Sequence, residues 1–145
     1  MNLSVIRTYR AQMEDTLKVE LAELHRAVQV EQEAQQFLLG EVEAATAEFI
    51  KMAKDGMTVD EAAAQQARLD ALAQSVGRVR EAIAAAQRRY DQKMVEVTEA
   101  SRERKKLEIL EEREATRKTK REQQREQAAL DQAAGARFLA KEGRQ

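Results

Sequence analysis

The chain has no cysteine, no proline and no tryptophan among its 145 residues. The lack of cysteine excludes a disulfide framework and any thiolate chemistry, and suits a reducing compartment. Aromatic residues make up only 3% and charged residues 35%, so the usual materials of a globular core are missing and a compact enzyme is not expected. No apolar run approaches the length of a membrane span, and the opening MNLSVIRTYRAQMED lacks the apolar block of a secretory signal. An excess of one charge is absent too: 25 Lys and Arg stand against 26 Asp and Glu, which argues against a generally basic nucleic-acid binder. The expectation is a cytosolic protein.

What is present is helix-forming material. Ala, Glu, Gln, Arg, Lys and Leu dominate, and these are the residues that lose least on entering a helix. The one clear break is KDGMTVDEAA, residues 54–63. Lys51 and Lys54 fall in the last turn of one helix, Gly56 can take the left-handed residue beyond it, and Thr58 with Glu61 forms a capping box for the next. Gly40, Gly77 and Gly135 sit inside helical pattern and cost about 1 kcal/mol each relative to Ala without interrupting it.

Both arms carry an apolar seam. In the first it runs Leu17, Leu21, Leu24, Val28, Leu38, Val42, Ala45, Phe49 and Met52, with Glu31 and Gln35 in two core slots. In the second it runs Leu69, Leu72, Val76, Val79, Ile83, Ala86, Tyr90, Val97, Ala100 and Leu107. Steps of three and four give the 3.5-residue period of a coiled coil. Two seams joined by a short turn predict an all-α fold, a long antiparallel two-helix coiled-coil hairpin with an overhanging C-terminal helix. The expected divisions are a first helix over 1–55, a turn at 56–58, a second helix over 59–110 and a charged extension over 111–145.

A turn centred near Gly56 pairs residues whose numbers sum to about 112–114, placing Leu38 near Val76, Val28 near Ile83 and Leu3 near Leu110. At a rise of about 1.5 Å per residue the first helix would span about 75 Å, and the second would outlast it. That explains EEREATRKTKREQQREQ, residues 111–127, in which only Ala115 is apolar: nothing remains to bury a face against. Further on, QAALDQAAGARFLA restores a small stripe through Leu130, Ala134 and Phe138, which suits either docking to another protein or an end that frays into solvent.

No catalytic, cofactor or metal site is expected. His25 is the only histidine and flanks the seam, where a solvated or edge-packed role is expected; no phosphate loop, Cys–His pair or HExxH pattern occurs. Glutamates lie on exposed faces in i,i+4 pairs such as Glu114 with Lys118. Within the overhang Arg113, Arg117, Arg121 and Arg125 recur every four residues, with Lys118 and Lys120 beside them, as a slowly drifting basic stripe. It reads either as a solvated helix face or as a contact for an acidic protein. Nucleic acid is disfavoured by Glu112, Glu114, Glu122 and Glu126 and by the lack of stacking aromatics, and membrane insertion by the lack of an apolar face.

Residues 80–138 resemble the C-terminal part of the FliJ family of flagellar export proteins and its relatives in virulence type III secretion. The resemblance rests on Lys105, Lys106 and Leu107 entering a charged helix, on Glu112–Arg113 and Arg121–Glu122–Gln123, and on Glu126–Gln127 followed by Leu130–Asp131. It implies a stalk, monomeric when free, that inserts into the hexameric ring of the export ATPase, promotes ring assembly and links the ring to the cytoplasmic domain of the membrane export gate. Export chaperones are further implied partners, and the implied location is the cytoplasmic face of the inner membrane beneath the flagellar basal body. By layout, Arg113, Arg117, Arg121 and Arg125 would meet the ATPase ring, while Phe37, Leu38, Val42, Leu69 and Leu72 would lie toward the gate. A virulence-system stalk and a coiled-coil scaffold with no motor partner are the alternatives.

Overall fold

The computed structural model describes residues 2–143; residue 1 and the last two positions of the expected extension, 144 and 145, lie outside the described residues. Two α-helices account for nearly all of it, α1 over Leu3–Asp55 and α2 over Val59–Glu142. Asn2 caps α1, its side-chain oxygen accepting the Ser4 amide at 3.1 Å. After Asp55 the backbone turns at Gly56, whose φ of 94° is a conformation that side chains with a Cβ resist. Thr58 then caps α2, its hydroxyl oxygen accepting the Glu61 amide at 3.1 Å, with Asp60 and Glu61 facing the positive end of the new helix. Gly40, Gly77 and Gly135 all lie inside helix, as their surroundings predict.

Contacts divide the chain into two compact units, one formed by residues 13–99 and the other by residues 2–12 with 100–143. In the first, α1 and α2 run antiparallel on either side of the turn. Lys93 pairs with Glu20 at 2.8 Å and Arg68 with Glu48 at 2.6 Å, while the rings of His25 and Tyr90 meet at 5.6 Å. Val28, Ala45, Val76 and Ala86 are buried, together with Val97; the remaining expected seam residues of this unit are half-buried, Glu31 and Gln35 among them. A two-helix seam leaves most side chains one open flank, so among the apolar residues of the seam only valines and alanines are fully buried.

Two charged residues belong to this seam although the apolar pattern passes over them. Glu14, three positions before Leu17, is only 2% exposed and holds Lys18 at 2.9 Å. Lys93 fills the seam position between Tyr90 and Val97 and bonds both Glu20 and Glu96 at 2.8 Å. The Glu20 carboxylate first, and the Glu96 carboxylate next, hold the Lys93 ammonium and raise its pKa above the usual 10.5.

In the second unit the start of α1 lies along α2. Leu3 and Ile6 are half-buried on one side, Ala100, Arg104, Leu107 and Glu111 on the other. Arg7 and Glu111 pair at 3.2 Å. The cross-helix partners Glu20–Lys93, His25–Tyr90, Glu48–Arg68 and Arg7–Glu111 sum to 113, 115, 116 and 118. The expected 112–114 is therefore met by Glu20–Lys93 and exceeded by the other three, most of all by Arg7–Glu111. Leu3 lines a groove with Glu111, Glu114 and Ala115, so it sits past Leu110, its expected neighbour.

Candidate partner-binding surfaces

The ring-side residues all lie in the second unit. Glu111 is the last residue of α2 to be even half-buried, and every residue over 112–143 is exposed. The segment stays helical without tertiary support because its residues are strong helix formers and bond locally. Thr116 and Thr119 donate their hydroxyls to the carbonyls of Glu112 and Ala115 at 2.9 and 3.0 Å, and Gln127 donates to Asp131 at 3.1 Å. The ion pair expected between Glu114 and Lys118 is not made: neither residue has an ion-pair partner among the described residues, and the same holds for Arg113, Arg117, Lys120, Arg121 and Arg125. With their neighbours this far out in water, the side chains gain little by closing such pairs.

The four arginines are exposed as expected, but they do not share one line. Each step of four residues overshoots a full turn by about 40°, so Arg113 and Arg125 point about 120° apart. Arg117, Arg121 and Arg125, with Lys118, instead border an open groove whose other wall is the start of α1 at Asn2, Leu3 and Ser4. Farther along, Leu130 and Phe138 are 65% and 60% exposed, and with Ala134 they form the one-sided stripe read from the sequence. Leu139 beside them, exposed as well, belongs to the same apolar end.

The gate-side residues all lie in the first unit, and they divide. Leu38, Val42, Leu69 and Leu72 are half-buried along the seam, so most of their apolar area already serves the hairpin. Phe37 is 68% exposed on the face opposite the seam, with Val30, two turns earlier, exposed on the same face. Val30 carries the sequence signal for this surface: an apolar residue seven positions before Phe37, exposed on the outer side of a coiled-coil helix, has no seam to pack into. His25 is exposed and leans on Tyr90, the edge-packed role expected of it. Among the described residues no group of His, Asp or Glu side chains is placed to hold a metal ion, and no helix is long and apolar enough to cross a membrane.

A family model described as Flagellar FliJ protein matches residues 1–143. The chain belongs to the FliJ family. The match takes in both helices, well beyond the 80–138 stretch that carries the resemblance, and so it covers the α1 surfaces as well as the overhang. FliJ proteins are flagellar type III export stalk proteins, not enzymes, and associate in general with the export ATPase and with gate components. No curated protein and no solved structure matches this chain.

Proposed function

We propose that this FliJ-family chain is the central stalk of a flagellar type III export ATPase complex, working at the cytoplasmic face of the inner membrane beneath the basal body. The overhang of α2, with Arg117, Arg121 and Arg125 and the apolar end at Leu130 and Phe138, enters the hexameric ring, promotes its assembly and activity, and leaves all nucleotide chemistry to the ring. Phe37 meets the cytoplasmic domain of the export gate, with Leu38, Val42, Leu69 and Leu72 supporting it from the seam behind. Empty export chaperones are further partners of the free protein.

The observation that carries this reading is an exposed helical segment of more than thirty residues, cationic in its middle and apolar at its end, in a chain of this family. A single two-helix stalk cannot touch six ring subunits alike. Differential contact free energy then biases their conformations, which is all that a non-catalytic regulator needs. The test is a chain ending at Glu111, which keeps the Arg7 ion pair. It is expected to lose binding to the purified export ATPase and stimulation of its ATP hydrolysis. Undiminished stimulation would refute the role of the overhang.

A further inference from the structure

The positions of α2 that face α1 near its start are Ala100, Arg104, Leu107 and Glu111, stepping by four, three and four. The same alternation carried forward reaches Glu114, Lys118, Arg121 and Arg125. These four continue one line along the helix, the line another helix would cover if α1 extended beyond its first residue, and all four are exposed. They also line the open groove in front of Asn2 and Leu3. The line is thus continuous with an interface that already holds two helices together.

Its chemistry limits what can lie on it. Three cations follow one anion, and none of the three has an ion-pair partner among the described residues. An apolar helix placed here would strip water from three charges and return nothing. A second copy of the chain, laid antiparallel on the same line, would set Lys118, Arg121 and Arg125 against one another. A nucleic acid would find no aromatic side chain to stack on among residues 112–127. A helix bearing carboxylates at steps of three and four would match each cation with an anion, and the guanidinium groups could hold them bidentately.

We propose that Lys118, Arg121 and Arg125 seat an acidic helical segment of a partner protein, laid along α2 in the space beyond the start of α1. This rests on the reading that the partner is the export ATPase, and it narrows that contact to one line of the overhang. Arg113, about 120° around the helix from Arg125, lies off the line.

The test uses the full chain and the purified export ATPase, with binding measured by titration at low and at moderate salt. The double variant Arg121→Glu with Arg125→Glu is expected to bind about tenfold or more weakly and to lose much of the salt dependence. Arg113→Glu is expected to change binding less than about threefold. Because all three positions are exposed, the variants keep their helical circular dichroism, and a loss of binding reports the contact. A photo-cross-linker at position 118 should attach an ATPase peptide richer in Asp and Glu than in Lys and Arg. The inference is overturned if the two variants bind alike, if the attached peptide is neutral or basic, or if position 118 cross-links to a second copy of the chain. If the chain ending at Glu111 loses binding while the double reversal does not, the acidic-segment inference alone fails. If the truncated chain binds as well as the full one, the ring reading fails with it.

Discussion

Replacing Gly56 by Ala separates a hairpin from an uninterrupted helix by the sign of one stability change. Gly56 has φ of 94° and no atom within 4 Å of where a Cβ would stand, so an added methyl group meets no neighbour and the whole effect is intrinsic to the backbone. A residue with a Cβ pays about 1–2 kcal/mol for the left-handed conformation. The unfolded chain loses some freedom in the same substitution, which raises its free energy by about 0.4–1 kcal/mol and offsets part of that cost. A net destabilisation near 1 kcal/mol remains, or a fall in melting temperature of about 2–4 °C for a chain of this size. Gly77 supplies the control. It lies inside α2, exposed, also with nothing within 4 Å of a Cβ, so Gly77→Ala should stabilise by about 1 kcal/mol through helix propensity alone. Thermal and urea unfolding followed by circular dichroism would read both. If Gly56→Ala stabilises the protein as Gly77→Ala does, residue 56 is helical in solution and the turn is wrong.

Two further predictions concern the first unit. Phe49→Asp puts a carboxylate on a half-buried seam position and should cost about 2 kcal/mol or more, whereas Phe37→Asp on the exposed face should stay within about 0.5 kcal/mol. The second variant should nevertheless weaken binding to the cytoplasmic domain of the gate in a pull-down, and unaltered capture would remove Phe37 from that contact. Lys93 has a raised folded-state pKa, so its contribution is present in full below the unfolded value of about 10.4 and is lost as pH rises through the folded one. Wild-type stability measured relative to Lys93→Met should therefore be level from neutral pH to about pH 10 and fall above it; a difference that stays constant through pH 11 would contradict the pairing with Glu20 and Glu96.

The hairpin was legible because its cause is local and repeated. Each seam residue read from the 3.5-residue period, from Leu17 to Met52 and from Leu69 to Leu107, is buried or half-buried, and Gly56 and Thr58 perform the stop and start that their types announce. Register was less legible because it depends on how far side chains reach as well as where they start. Arg7 and Glu111 carry their charges well away from their own Cα atoms, so such a pair reports register only to within about one turn. Glu14 and Lys93 were missed for a different reason: a search for apolar periodicity skips a charged residue even where the step demands it. The surfaces were half legible. The pattern told that burial stops near Glu111 and that arginines spaced by four drift around the helix, but spacing alone did not tell which of them border the groove at the start of α1.

How charge is treated along the seam line gives the overhang its meaning. Where α1 and α2 lie together, Glu14, Lys93, Arg104 and Glu111 occupy seam positions and each holds an ion pair, with Lys18, Glu20 and Glu96, Glu108, and Arg7 respectively; among the described residues Arg10, Glu31 and Glu41 are half-buried without an ion pair. A charge that another helix partly strips of water is stabilised by an opposite charge close by, so pairing is the usual condition of a charged residue in this seam. Past Glu111 the same line carries Lys118, Arg121 and Arg125 with no pair at all. In water that arrangement costs a few tenths of a kcal/mol per neighbouring like-charged pair, and a merely solvated helix could avoid it by mixing both signs on every face. Three cations in succession on the one line that continues an interface form a half-seam, and its other half is acidic.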